Sequence, residues 1–250
     1  MSSLHAEIKV LLSGKYKPED FIISIGESNR KISIPIESQI ENIWKNKILQ
    51  AQKNNQNLYN GLGYRLNTIE VMKDKVKIEL GIIDFKTFLC INEIPEYFDL
   101  GEEYHKNYCH NLATVKTKDD YYIMVNLSGK SINENKFDFI GGAMETDIKI
   151  DSGYQLFESF YKELKEEAFV EKNDIKESYL RIIYSNPKTN IGFYFEIVLA
   201  QTKDELINKF NSREKDPDIH SLKFFKRDDY IKTLEEFNIN KKFISTIVEI

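Results

Sequence analysis

Cysteine is scarce in this sequence: Cys90 and Cys109 are the only two among 250 residues. They form neither a C-x-x-C pair nor a disulfide framework, so we expect a reducing, cytoplasmic location. Long hydrophobic runs are also missing, and no apolar run of secretory length opens the chain. One of the longest apolar stretches, Ile191 to Ala200, is interrupted by Glu196 and is too short to span a bilayer. We therefore expect no association with a membrane.

An excess of positive charge is lacking as well. The chain carries 35 Lys and Arg against 40 Asp and Glu, for a formal net charge of −5, and no basic tract stands out. This balance argues against a protein built to coat nucleic acid. A mildly acidic protein still binds phosphate groups where a metal ion supplies the positive charge locally. The charge balance is therefore compatible with a small-molecule partner that carries phosphate.

Hydrophobic residues make up 41% of the chain, which is enough for a core, and the length suits two modest domains. The pattern predicts a small α+β unit over residues 1–100 and a second unit over residues 101–250, with a mixed sheet covered by helices. In the first unit the predicted elements are strands at Phe21 to Ile25, Ile32 to Ile36, Tyr64 to Met72 and Val76 to Ile83, and a helix at Ser38 to Gln52. In the second they are strands at Asn111 to Lys116, Tyr121 to Leu127, Phe137 to Ile140, Leu180 to Ser185 and Ile191 to Ala200, and helices from Ser152 and at Lys203 to Phe210, Asp228 to Phe237 and Lys241 to Glu249.

The helix after Ser152 carries the most informative pattern. Ser152 and Gln155 form a capping-box pattern at its start. Farther along, Glu163, Glu166 and Glu167 fall within one sector of about 100°. Like charges at this spacing repel each other, and a divalent cation reverses that repulsion, because carboxylate oxygens suit Mg²⁺ or Mn²⁺. By spacing alone such a face is more often simply solvated.

The sequence around this helix resembles the Nudix box, which ends in R-E-U-x-E-E-x-G-U, where U is aliphatic. Gly142 fits the opening glycine, Glu145 fits an acidic residue that often follows it, and Lys162 to Val170 fits the end of the box. The resemblance implies a Nudix α/β/α sandwich and a diphosphatase. It also implies Mg²⁺ or Mn²⁺ as cofactor, metal-binding residues Glu163, Glu166, Glu167 and Gly142, and catalytic residues Glu163, Glu166, Glu167, Lys162 and Glu145.

The chain departs from the family pattern at three points. Lys162 stands where the family has arginine, and it keeps the charge without the planar fork. Phe169 stands where the family has the glycine that lets the chain turn after the helix. The loop between Gly142 and Lys162 is longer than in the family pattern. These departures leave open the alternative that the protein is a relative of the family that binds nucleotides without catalytic activity.

The N-terminal region resembles one branch of the same family. Asn60 to Leu66 and Leu80 to Asn92 look like two segments of UDP-glucose and UDP-galactose diphosphatases. This resemblance implies hydrolysis of a UDP-sugar to a nucleoside monophosphate and a sugar 1-phosphate, with Arg65, Asn92 and Glu196 as candidate substrate-binding residues. Two alternatives remain: a hydrolase of ADP-ribose or another dinucleotide, and a binding module without turnover.

Overall fold

The computed structural model describes residues 8–127, 137–212, 219–236, 239 and 241–248. Its strands are β1 (Lys9–Tyr16), β2 (Phe21–Ile25), β3 (Leu62–Val71), β4 (Val76–Asp84), β5 (Tyr108–Lys116), β6 (Tyr122–Leu127), β7 (Phe137–Asp138), β8 (Ile175–Ser185), β9 (Asn190–Leu199) and β10 (Ile219–Phe225). Its α-helices are α1 (Ile34–Lys53), α2 (Phe85–Cys90), α3 (Gly153–Ala168), α4 (Lys203–Asn211), α5 (Arg227–Glu236) and α6 (Lys241–Val248). In the part of the chain covered by these ranges, no helix is long and apolar enough to cross a membrane.

The strands form one mixed sheet in the order β1-β8-β9-β5-β3-β4-β2, and β6 joins it through β5 and also pairs with β7 and β10. β5 runs parallel to β9, and β2 runs parallel to β4, whereas the other pairs are antiparallel. The predicted mixed α+β class is therefore confirmed. The sheet contains strands from both sides of residue 100, and the division into two domains stays a prediction.

Successive residues of β9 show that helices cover both faces of the sheet. Phe195 stacks on Phe160 of α3, with ring centroids 4.6 Å apart. Its neighbour Tyr194 meets Phe243 of α6 edge to face at 5.4 Å. Because adjacent side chains of a strand point to opposite faces, α3 and α6 lie on opposite sides. The predicted three-layer α/β/α arrangement is confirmed.

The N-terminal helix packs in a third cluster beside these layers. Ile40 and Trp44 of α1 are buried there with Cys90 and Tyr97. The predicted strand at Ile32 to Ile36 is wrong, because α1 begins at Ile34 and has a proline in its first turn. A proline is well tolerated there, and a short alternation of apolar residues does not separate a strand from the start of a helix.

The end of α3 is held in a conformation that favours glycine. Phe169 has φ +60° and ψ +26°, in the left-handed region, and its N–H donates to the carbonyl of Lys165 at 3.1 Å. A Cβ costs roughly 1 kcal/mol in this region. The departure from glycine at this position therefore leaves the turn in place but strains it.

We predict that Phe169→Gly unfolds at a higher urea midpoint than Phe169→Ala, by about 1 kcal/mol in the free energy of unfolding. Both variants lose the ring, so their difference isolates the Cβ. Urea unfolding followed by circular dichroism measures it. Equal midpoints, or a more stable alanine variant, would contradict the strain at this position.

Candidate active site

A short segment after β7 positions the site by running along two strands. Asn111 N–H donates to the carbonyl of Gly142 at 2.8 Å, and Met144 N–H donates to the carbonyl of Cys109 at 3.1 Å. The segment then crosses to β3, where Tyr64 N–H donates to the carbonyl of Met144 at 2.8 Å. These bonds hold the two glycines in a fixed extended path between β5 and β3.

The segment meets the C-terminal half of α3 at its two glycines. The N–H of Gly141 donates to Glu167 Oε2 at 2.9 Å. A Cβ on Gly142 would lie 2.5 Å from Glu163 Oε2, so the backbone approaches that carboxylate closely. Glu163 and Glu167 are one helical turn apart and therefore face the same stretch of backbone. The structure thus brings the glycines and two of the three predicted glutamates together.

Gly141 has a conformation that only glycine readily adopts. Its φ is +151°, and a Cβ there would collide with the backbone carbonyl oxygen of Asn111. That oxygen belongs to β5 at the centre of the sheet, so the backbone has little freedom to move away. Glycine at position 141 is therefore required by the path of the segment.

The two carboxylates facing the glycines are electrostatically strained. Burial, followed by the charges of Glu166 and Glu145, raises the pKa of Glu163 to about 7, although Lys162 opposes the shift. Burial, followed by the charge of Glu163, raises the pKa of Glu167 to about 8, although the Gly141 N–H opposes the shift. Neither carboxylate forms a salt bridge with a described residue. Two neighbouring, half-buried carboxylates that form no salt bridge with a described residue favour the binding of a cation.

Glu166 and Lys162 lie at the outer edge of this pair. The Glu166 side chain is 52% exposed, and the Lys162 Nζ is 3.9 Å from its Oε1. Lys162 instead pairs closely with Asp147, with 2.6 Å between Nζ and Oδ2. This hydrogen bond raises the pKa of Lys162 and lowers that of Asp147. Lys162 therefore ties the long loop to α3.

The donor set fits a hard divalent cation, but the side chains do not converge on a single point. Within the described ranges, no group of three His, Cys, Asp or Glu side chains lies close enough to hold a metal ion. Glu163 and Glu167 supply carboxylate oxygens at the glycines, and Glu166 supplies a third from the exposed side. Oxygen ligands of this kind suit Mg²⁺, which keeps several of its waters and needs few protein ligands. The residues present therefore fit Mg²⁺ or Mn²⁺.

No protein-family model and no curated protein matches the chain. Solved structures do show similarities. The alignment with a protein from Deinococcus radiodurans covers 52% of this chain and 74% of that protein, with 17% identity and a TM-score of 0.39. An Ap4A hydrolase from C. elegans covers 56% and 92%, with 13% identity and a TM-score of 0.38. A NUDIX hydrolase from Nitrosomonas europaea covers 56% and 85%, with 15% identity and a TM-score of 0.35.

Arg65 lies outside the glutamate cluster. It is 2% exposed, and its guanidinium donates to the carbonyls of Lys106 at 3.3 Å and His105 at 3.2 Å, and to the side chains of Asn29 and Asn67. Burial is the main cause that lowers the pKa of Arg65, to about 10. In this arrangement Arg65 joins β3 to the segment before β5. Its predicted contact with substrate stays a prediction.

Asn92 and Glu196 also have protein partners away from the glycines. Asn92 Oδ1 accepts from the Nζ of Lys106 at 2.6 Å, and Lys106 is fully buried. Glu196 is 3% exposed and pairs with Arg181. It follows Phe195 on β9 and therefore faces away from α3. The structure does not bring these two residues to the glutamates, and their predicted substrate contacts stay predictions.

The Gly142 carbonyl is partly occupied by a hydrogen bond, whereas the Glu145 side chain is open to solvent. The Gly142 carbonyl, predicted as a metal ligand, already accepts a hydrogen bond from Asn111 and has one lone pair left. Glu145 is exposed and bridges to Gly63 at the edge of the site. Glu145 is therefore accessible from solvent beside the glycine segment.

Sequence reasoning missed Asp138, which lies three residues before Gly141. Its carboxylate is half-buried and accepts from the Phe139 N–H at 2.8 Å, and burial raises its pKa. The charge of Asp138 also contributes to the raised pKa of Glu167. An acidic residue inside a short apolar strand was the signal available in the sequence, because burying a carboxylate is costly without a function or a partner.

Proposed function

We propose that this chain is a Nudix-type hydrolase that cleaves a diphosphate linkage with the help of Mg²⁺ or Mn²⁺. One observation carries the proposal: Gly141 and Gly142 lie directly against Glu167 and Glu163, with the Gly141 N–H donating to Glu167 at 2.9 Å. The glycines and the glutamates are far apart in the sequence, and the lengthened loop does not prevent their meeting. A merely solvated acidic helix face would not be covered by a backbone segment fitted to its carboxylates.

The glutamates supply the ligands, and nearby residues position them. Glu163 and Glu167 would hold the cation from the glycine side and Glu166 from the exposed side. The cation would supply positive charge to the diphosphate and lower the pKa of a bound water. Gly141 fixes the Glu167 carboxylate through its N–H, and Lys162 is fixed beside Glu166 by Asp147.

Glu145 is the carboxylate that we assign to proton transfer. It is exposed, it lies next to the glycine segment, and its charge acts on Glu163. A general base has to reach the attacking water directly or through one intervening water, and an exposed carboxylate at the edge of the cluster meets that requirement. Glu196 does not, because it is buried against Arg181 on the other face of the sheet.

For the substrate, we propose a UDP-sugar, which would give UMP and a sugar 1-phosphate in the cytoplasm. The support is the resemblance of Asn60 to Leu66 and Leu80 to Asn92 to the UDP-sugar branch. These segments include the first half of β3 and the end of β4, and β3 contacts the glycine segment directly. ADP-ribose or another dinucleotide is the second candidate, because the glutamate site recognises only the diphosphate.

A substrate panel tests this proposal. The purified chain is incubated with Mg²⁺ or Mn²⁺ and UDP-glucose, UDP-galactose, ADP-ribose or a dinucleoside polyphosphate, and released monophosphate is measured by phosphatase coupling. We expect UMP from UDP-glucose and no release in EDTA. Release from ADP-ribose alone would select the second substrate class. Nucleotide binding without turnover of any compound would identify a binding module and overturn the enzyme proposal.

A further inference from the structure

A cavity of about 530 Å³ opens beside the glutamate cluster. It is lined by residues 57–59, Gly61, Leu62 and Phe85, by Tyr108, and by residues 145–147. The volume lies within the range of about 300–1,000 Å³ that is typical of small-molecule sites. The cavity therefore has room for a nucleobase together with its ribose.

The cavity and the glutamate cluster share a wall. Asp147 lines the cavity and pairs with Lys162 of α3 at 2.6 Å. Glu145 also lines the cavity, follows Gly142 by three residues, and is close enough for its charge to act on Glu163. A ligand whose diphosphate lies at the glutamates would therefore extend one of its ends into this cavity.

Aromatic side chains form a rigid wall on the N-terminal side. Phe88 stacks on Tyr108 with ring centroids 4.2 Å apart, and Phe85 packs against Phe88 at 5.6 Å. Tyr59 is 66% exposed and Leu62 is 53% exposed, although both line the cavity. Large side chains left open to solvent beside a packed aromatic stack are suited to cover a flat ring.

The polar groups of the cavity select against negative charge. Among the described residues that line it, none is Lys, Arg or His, whereas Glu145 and Asp147 carry carboxylates. Glu145 repels a phosphate that enters the cavity. The Asp147 carboxylate is paired with Lys162 and can still accept a hydrogen bond from an N–H group. A hexose would bring hydroxyl groups on all its edges to a cavity whose other walls are largely apolar, and each unpaired hydroxyl would be costly. A planar ring with N–H donors fits both surfaces.

We propose that this cavity binds the nucleobase of the substrate, stacked on the aromatic side chains of Tyr59, Phe85 and Tyr108 that line it, with an N–H group facing the Asp147 carboxylate. The inference rests on the proposed function for the position of the diphosphate. It assigns residues 57–59, Leu62 and Phe85 to base recognition, and it leaves the sugar or second nucleoside on the other side of the glutamates.

The test uses nucleosides without phosphate, so that neither metal binding nor turnover is involved. Binding of adenosine and uridine to the full chain is measured in EDTA by equilibrium dialysis. Trp44, the only tryptophan, gives a second signal, because Leu58 and Phe85 pack against its cluster. We expect both nucleosides to bind, and Tyr59→Leu to weaken binding about tenfold, as for loss of a stacking side chain. Tyr154→Leu, which removes an equally exposed tyrosine (61%) from α3, should leave the affinity unchanged.

Three results would overturn the inference: neither nucleoside binds, Tyr59→Leu binds as wild type does, or methyl glucoside or ribose 5-phosphate binds as tightly as the nucleosides. Phe85→Leu is a second variant that removes a ring and keeps an apolar side chain, and it should weaken nucleoside binding as Tyr59→Leu does. Nucleoside binding through Tyr59 without turnover in the substrate panel would refute the hydrolase and support base binding. Turnover with an unchanged KM in Tyr59→Leu would refute base binding in this cavity and leave the hydrolase proposal intact.

Discussion

Glu167→Gln is expected to reduce metal-dependent hydrolysis at least about a hundredfold. Even the loss of residues that only support metal ligands lowers metal affinity or activity about 10–100-fold. Glutamine keeps the size of the side chain and still accepts the hydrogen bond from Gly141. It loses the negative charge that would hold the cation. The initial rate of monophosphate release at saturating Mg²⁺, with the best substrate of the panel, measures the effect.

The same substitution is expected to stabilise the metal-free protein at high pH. A carboxyl group whose folded pKa is raised destabilises the fold as pH rises from its ordinary value of 4.5 to its folded value of about 8. Glu167→Gln removes this loss, so it should gain about 1–3 kcal/mol at pH 8.5 and almost nothing at pH 4.5, after allowance for partial solvent screening. Urea unfolding in EDTA at the two pH values measures the difference.

Glu158→Gln is the matched control for both effects. Glu158 lies on the same helix but pairs with Lys172, away from the glycines. This variant should keep the activity of the wild type and show no gain in stability at pH 8.5. If Glu167→Gln retained full activity, the carboxylate would not be part of the metal site. If it were destabilised at pH 8.5 in EDTA, the carboxylate would not be strained by burial.

The sequence predicts the elements whose pattern is local. The capping serine of α3 is confirmed, because Ser152 accepts a hydrogen bond from the Gln155 N–H. The predicted strands at Tyr64 to Met72 and Val76 to Ile83 are confirmed, and they pair as the β3–β4 hairpin. Runs of strand-forming residues on both sides of a short turn are a local signal. β1 was missed, since its partner β8 lies at the other end of the chain and Gly14 interrupts its apolar pattern. The residues of β1 carry no local strand pattern, so their strand could be predicted only with knowledge of the distant partner.

Of the candidate site, too, the sequence predicts the part that is local and not the part that depends on distant packing. The motif identifies Glu163, Glu166 and Glu167, but helical spacing alone does not determine which of them faces the protein. That choice is made by Phe160 and Leu164, which are buried in the core and turn Glu163 and Glu167 toward the glycine segment. The proximity of Asp138 to Glu167 depends on how that segment crosses the sheet. No pattern within the sequence encodes such a crossing.

Gly141→Ala is expected to lose stability and Gly142→Ala to lose activity, although the two glycines are adjacent. At position 141 the new Cβ would collide with the backbone oxygen of Asn111, and the alanine would have to adopt a φ of +151°. We expect a loss of at least about 2 kcal/mol in the free energy of unfolding, because rare backbone conformations cost about 1–3 kcal/mol before any clash is added. At position 142 the Cβ would meet the Glu163 Oε2 at 2.5 Å, which is the end of a flexible side chain.

Gly142→Ala should therefore fold with little loss of stability but displace the carboxylate of Glu163. Its hydrolytic rate should fall about tenfold or more, since small displacements of positioned groups have effects of this size or larger. Urea unfolding and initial rates at saturating Mg²⁺, measured on both variants, separate the two effects. A stable Gly141→Ala would show that the segment does not follow the path along β5. A fully active Gly142→Ala would show that Glu163 does not need its present position, and the glycine pair would then serve folding alone.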